Sequence, residues 1–510
     1  MIDHIYKAVD EKARNDELEC RPLSNPAAGN NYQNRNVDQF RQMFRFQKDT
    51  PSSYKKALTQ RKNTIGRRLD PSHKYVSAVY YANWSVYKPV PFLPNDIDFQ
   101  KVTHVYYAFM VVDGQSGRVG SHDAWADYGM PVSDNPEIRD TSPGCIMEFL
   151  DLKMKYGFKF IMSIGGWNNR EDFRLALLDD TKLDNLASTA VELMFDNCFD
   201  GIDLDFEFPD DIPLQSSRYL TLVERIRDEM DFQEDQIFEE SNNLFELSVA
   251  APGFRKGIDL LDVKKMDEYL TYWNMMTYDY YGSWSTKTGY QGALFDSISY
   301  GEKLDPERHD DVSRLCGDDA ITYMIFRLGI SPDKILYGIS TLGRSFTNVA
   351  HQNNTKRYVG ETFTGVGKEV SGEEGVIHYK DLPLRGSVEG YDDDAVSAYC
   401  YNGATRSLVT YDNHLSVLVK AKYIQSMQLG GAFIWDIYGD KYDIPQKSLL
   451  SALYSGVQGK LVVNQPFYSL RLVQYCYLLN LFEKERTFAS YIKCLFRRHK
   501  GDYDDPIPIK

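Results

Sequence analysis

Eight short runs of β-branched and aromatic residues, at 75–81, 102–109, 158–164, 199–206, 245–251, 272–278, 335–340 and 431–435, constrain what this chain can fold into. Between most of them, at 146–155, 183–197, 217–230 and 415–427, apolar residues fall three and four apart, which is the helical period. Strands that alternate with helices pair in parallel, and eight such units predict an α/β chain folded as a (β/α)8 TIM barrel over 75–455. A doubly wound open sheet is the alternative. It would carry a Gly-rich phosphate loop after its first strand, and residues 81–88 contain no glycine. One connection is too long for a loop. The stretches TGVGKEVSGEEGVIHYKDL and GYDDDAVSAYCYNGATRSLVTYD read as Gly-punctuated hairpins, so a small α+β insertion at about 345–411 is expected between the seventh and eighth strands. It would wall the mouth of the barrel.

The fourth run, FDGIDLDFE at 199–207, carries the chemistry. Side chains alternate along a strand, so Ile202, Leu204 and Phe206 share one face while Asp203, Asp205 and Glu207 share the other. In a barrel the apolar face meets the helices and the carboxylates point inward. Three buried like charges, roughly 6 to 7 Å apart, lose hydration and resist ionising together, an arrangement with no merit for stability. An exposed acidic edge would be harmless, but Phe195, Phe199 and Phe208 flank this segment. Glu207, at the C-terminal end of the strand where barrel active sites lie, is the expected proton donor. Asp203 and Asp205 are expected to share a proton and so to help keep Glu207 protonated. Asp200 suits either the turn before the strand or catalysis.

Charge and composition narrow the function. The net charge is -15, but residues 1–74 hold 15 Lys and Arg against 9 Asp and Glu, and residues 456–510 hold 9 against 5, which leaves -25 for 75–455. A body that acidic is not expected to bind nucleic acid. The basic arm 1–74, rich in Asn, Gln and Ser, is expected to be disordered, with an anionic contact by 41–74 left open. The first twenty residues have no apolar core, so no secretory signal is expected. The most apolar stretch, 467–482, is broken by Arg471, Gln474 and Asn480, so no transmembrane segment is expected either. The extension 456–510, of unassigned role, is expected to pack part of 467–500 on the barrel exterior, with a membrane-surface helix as the other option. Seven scattered cysteines without a CxxC pair and nine dispersed histidines give no disulfide framework and no metal site. No cofactor is expected.

Four ordered motifs then carry a resemblance. Asp200 to Glu207 matches the DGxDxDxE signature of family 18 glycoside hydrolases, the chitinases. Ser163 to Trp167 resembles that family's SxGGW element, Met276 to Asp279 its MxYD element, and Gly430 to Trp435 its GGxxxW element. Phe206 and Phe208 stand where the family commonly has Trp and Tyr, and Ser340 to Leu342 replaces its usual run before Gly343 and Arg344. The resemblance implies a retaining, substrate-assisted hydrolase, the exception to two-carboxylate glycosidases. The substrate's 2-acetamido oxygen would attack the anomeric carbon while Glu207 protonates the leaving oxygen. Asp205 would orient the acetamido N–H, Asp203 would support Asp205, and Tyr278 would hydrogen-bond the acetamido oxygen.

Chitin or chito-oligosaccharide is therefore the expected partner, and a monomer the expected state. Trp84, Trp167, Trp284 and Trp435 sit at or just after proposed strand ends, where rings can stack on sugars, with Trp435 as the floor. Gly166 and Met276 belong to the same motifs. Asp279 and Arg344 suit either polar sugar contacts or an ion pair, and Tyr81 and Phe109 are expected to line the barrel beneath. A non-hydrolytic chitin-binding lectin and an endo-β-N-acetylglucosaminidase acting on glycans are the alternatives; an intact Glu207 with both aspartates favours the enzyme. The tails and the missing signal resemble the intracellular or sporulation-type chitinases of yeasts, so an intracellular or spore- or cell-wall-associated protein is expected.

Overall fold

The structure, a computed structural model, describes residues 72–134, 144–210, 213–237, 245–296, 314–350, 358–367 and 373–464. Nearly all of the basic arm and the stretch 467–500 lie outside these residues.

All eight expected strands are present. In chain order they are β1 (Val76–Ala82), β2 (His104–Val112) with its hairpin mate β3 (Val119–Ser121), β4 (Lys159–Gly165), β5 (Gly201–Asp205), β6 (Glu246–Pro252), β7 (Tyr272–Met276) and β8 (Ile335–Ser340). Five strands of the insertion follow: β9 (Leu342–Phe346), β10 (Val376–His378), β11 (Val388–Asp392), β12 (Ser397–Asn402) and β13 (Ser407–Tyr411). The last barrel strand is β14 (Gly431–Trp435). The order β1-β14-β8-β7-β6-β5-β4-β2 is parallel throughout and closes through β1 on β2, with Tyr80 opposite Tyr106. Closure leaves the barrel no open edge.

Alternation along β1 decides which residues meet the barrel axis. Val76, Ala78 and Tyr80 pack inside with Tyr106, Ala108, Ile161, Leu336 and Phe433. Val79 and Tyr81 point outward into the large core between strands and helices. The assignment of Tyr81 to the barrel lining is therefore corrected. Its hydroxyl donates to Phe92 O at 2.9 Å and its ring abuts Phe149, so the inward tyrosine is Tyr80, one residue earlier. Side chains repeat every two residues, so an error of one exchanges the faces.

Helices cover the outer face. Asp180–Asp196 starts at Asp179, whose side chain accepts from Lys182 N, and buries Leu183, Leu186, Ala187, Ala190, Val191 and Met194 at three- and four-residue spacing. Among the described residues no helix is long and apolar enough to cross a membrane.

The insertion begins at Leu342, directly after β8, and forms an antiparallel sheet ordered β10-β9-β13-β12-β11. Its helical part among the described residues is the 3-10 turn Tyr379–Asp381. A buried ion pair fastens its exit. Lys420 Nζ lies 2.6 Å from Asp412 just past β13 and also donates to Gly292 O at 2.5 Å. At the opposite end of the barrel the chain leaves helix Leu449–Gly456 and returns to β1, with Tyr75 N on Lys460 O at 2.8 Å and Val462 N on Tyr75 O at 3.0 Å.

Candidate active site

The site grows from β5. Asp200, at its approach, accepts from Lys153 Nζ and Phe160 N, both at 2.7 Å. That settles it as a structural clasp between strand and helix. Gly201, Asp203 and Asp205 lie between β4 and β6, with Ser163 and Ser248 opposite Asp203 and Gly165 opposite Asp205.

Asp203 is fully buried and receives four donors. Ser248 Oγ (2.7 Å) and Asn274 Nδ2 (3.1 Å) reach Oδ1, while Tyr80 OH (2.8 Å) and Ser163 Oγ (2.7 Å) reach Oδ2. Burial raises its pKa, and these bonds to the charged form oppose the rise. Asp205, one pleat higher, has no such support: among the described residues its buried Oδ1 has no hydrogen-bond partner. Burial pushes its pKa far above the carboxylate range, and the charges of Glu207 and then Asp203 push it further. Asp205 therefore feels both neighbouring carboxylates of the column, Glu207 and Asp203.

Glu207 follows β5 and is held up to about 7, first by burial and then by Asp279, against the Trp167 backbone N–H and the Arg170 charge. A group titrating there is an acid and a base in equal measure at neutral pH. Tyr278 stands beside the pair; burial, then the charges of Asp205 and Glu207, hold its hydroxyl in the neutral form.

Aromatic rings make the floor. Trp435, half-buried, lies 5.6 Å from Phe109 in a stacked pair and 5.5 Å edge-on from Tyr80, with Met276 and Tyr278 lining the same interior. Phe109 is partly buried and belongs to the same interior group. Gly166 explains how β4 comes so close: its φ is 82°, and a Cβ there would sit 2.7 Å from the Phe109 ring. Its N–H donates to Asp205 O at 2.8 Å, which locks the two strand ends together.

Trp167 and Trp284 are more than half exposed, and each carries a guanidinium over its ring, Arg170 at 4.2 Å and Arg344 at 5.0 Å. Arg344 lies on β9 of the insertion and not at the end of a barrel strand. Its Nε and Nη2 grip Asp279 at 2.8 and 2.7 Å, and Nη1 reaches Glu373 at 2.6 Å. The ion pair left open by the sequence is therefore present and joins barrel to insertion.

Three residues of the constellation were not singled out in the sequence: Tyr80, Ser248 and Asn274. The signal was available. Each is a polar group at an inward position of a barrel strand, and a buried polar side chain there needs a partner.

Comparison with known proteins agrees with this geometry. The family model for glycosyl hydrolases family 18 matches residues 76–440. The chain is 36% identical to sporulation-specific chitinase 2 of Saccharomyces cerevisiae over 83% of its own length and 86% of that protein's. It is 31% identical to endochitinase 1 of Metarhizium robertsii, over 72% of its length and 82% of the relative's. Among solved structures the fold is similar to chitinase ChiA74 from Bacillus thuringiensis, with a TM-score of 0.65 and 23% identity, covering 77% of this chain and 71% of that one. With strand order, carboxylate column and sequence in agreement, this chain belongs to family 18 of the glycosyl hydrolases.

Proposed function

We propose that the chain is a chitinase that hydrolyses β-1,4-linked N-acetylglucosamine polymers with retention, using the substrate's own 2-acetamido oxygen as nucleophile. The observation that carries this reading is the pairing of Glu207, held up to about 7, with the unpartnered Oδ1 of Asp205. A buried acceptor without a donor is costly, and an acetamido N–H from the substrate supplies that donor. The bond orients the acetamido oxygen toward the anomeric carbon.

Glu207 then gives its proton to the glycosidic oxygen as the C–O bond breaks and the acetamido oxygen closes on the anomeric carbon. Asp205, supported by Asp203, stabilises the positive oxazolinium, and Tyr278 holds the acetamido oxygen. Water, deprotonated by Glu207, opens the ring and restores the acid. Two inversions at one carbon give retention.

Product analysis of defined chito-oligosaccharides by NMR tests the reading: the first product must carry the β anomer. Glu207→Gln must bind substrate yet lose turnover by at least about a thousandfold, since it removes both proton-transfer steps. A wild-type protein that binds the oligosaccharide without cutting it sinks the proposal in favour of a lectin. The Saccharomyces relative is named sporulation-specific, and we propose a spore or cell wall as the setting of this chain. Labelling the protein and finding it away from any wall overturns that part.

A further inference from the structure

The turn that follows β4 is held at both ends. At its start the Gly166 N–H donates to Asp205 O at 2.8 Å. Its body is the 3-10 turn Trp167–Asn169, closed by Asn169 N on Gly166 O at 3.0 Å and by Arg170 Nη1 on Trp167 O at 2.7 Å. At its end Asn169, almost fully buried, reaches across to Val112, the last residue of β2. Its Oδ1 accepts from Val112 N at 2.8 Å and its Nδ2 donates to Val112 O at 3.0 Å.

Asn169 stands at the N-cap of the helix Arg170–Leu177, where an asparagine side chain ordinarily accepts from the first backbone N–H groups. Here it makes no capping bond. The amide is used on β2 instead, whose ladder to β4 shifts register between Tyr107 and Met110 and ends with Met110 opposite Ile164. Beyond that pair the side chain of Asn169 takes over, serving both backbone groups of a residue that is itself buried. Val112 is a firm anchor. Its hairpin with β3 is tied to the helix Asp180–Asp196 by Lys182 Nζ on Gly114 O (2.8 Å), Asn185 Nδ2 on Ser116 O (2.8 Å) and Val119 N on Thr189 Oγ1 (2.9 Å).

Two groups of the turn act on the Glu207 carboxylate, the Trp167 backbone N–H as a hydrogen-bond donor and the Arg170 guanidinium as a charge, and both draw its pKa down. Burial and Asp279 draw it up, and Asp205 and Tyr278 are the other titratable groups beside it. We propose that Asn169 is a positioning residue for the reaction: by clasping Val112 it fixes the turn from Gly166 to Arg170 and, through the Trp167 N–H, the proton donor Glu207. The proposal rests on the reading of Glu207 as the acid of a chitinase. Without the clasp the N–H and the guanidinium lose their fixed places, so Glu207 becomes a weaker acid and less well aimed at the glycosidic oxygen.

The test compares wild type, Asn169→Ala and Asn169→Ser on a soluble chito-oligosaccharide across pH. The titration of Glu207 is followed separately by NMR of carboxyl-labelled glutamate, assigned with Glu207→Gln. Serine caps a helix as well as asparagine does but is too short to hold both Val112 groups, so it offsets part of the lost stability and keeps the fold. Both variants should move the alkaline limb of kcat/KM and the Glu207 titration up by about 0.5 pH unit or more. They should also lower kcat about tenfold while KM stays within about threefold. A loss of stability alone moves neither limb nor titration. A limb and titration that stay in place, or an Asn169→Ser protein equal to wild type, overturn the proposal. A wild type that does not cut the oligosaccharide overturns the chitinase reading alone if the NMR titration still moves, and both if it does not.

Discussion

A carboxylic acid that titrates near 7 is stored free energy as well as a catalyst. The folded pKa of Glu207 is raised from 4.5 to about 7, so between those values the folded state binds more protons than the unfolded chain. Stability contributed by this group is full below about 4.5 and declines as pH rises through 7. Glu207→Gln mimics the protonated acid, so at pH 8 it should be more stable than wild type by up to about 3 kcal/mol, and at pH 5 nearly equal to it. Denaturant unfolding at the two pH values checks this; equal stabilities at pH 8 contradict it. The same titration shapes activity. Above about 7 the acid is lost, so kcat/KM should fall tenfold per pH unit, and Asp279→Asn, by removing the neighbouring negative charge, should move that fall to lower pH. Arg170→Met should move it to higher pH. A pH profile that ignores both substitutions contradicts the electrostatic account of Glu207.

At the scale of elements, the barrel and the insertion are held together by charge placed out of water. Lys420 and Asp412 are both essentially fully buried, and each neutralises the other. Lys420→Met leaves Asp412 as a lone buried carboxylate and should cost about 3 to 5 kcal/mol. The double change Lys420→Met/Asp412→Leu should recover much of that, because the desolvation penalty disappears with the second charge. Thermal unfolding of the three proteins measures it; a single and a double variant of equal stability exclude the mechanism. The Arg344 grip on Asp279 works across the same junction but at the cleft. It sets the charge that helps raise Glu207, so the insertion reaches the chemistry through one ion pair.

At the scale of the whole molecule, the family match ends at residue 440 and starts at 76, inside the stretch that carries -25. Chitin is neutral, so this acidity should give no steering of substrate, and kcat/KM on chito-oligosaccharides should be flat between low and moderate salt. A steep salt dependence points to a charged substrate. The strand-and-helix rhythm, the inward column Asp203, Asp205 and Glu207, and the position of the insertion were legible in the sequence, because periods of two and three-to-four and the i, i+2, i+4 spacing are local properties of the chain. Which of Tyr80 and Tyr81 faces the axis was not, since strand register is a matter of pairing with β14 and β2. Nor was the donor set on Asp203, which draws Tyr80, Ser163, Ser248 and Asn274 from four strands spread over nearly two hundred residues. The sequence by itself determined which acids line up; only closure of the barrel decided that Asp203 is saturated, that Asp205 keeps an empty acceptor, and that Glu207 is held up to about 7, because partners and desolvation exist only once distant strands meet.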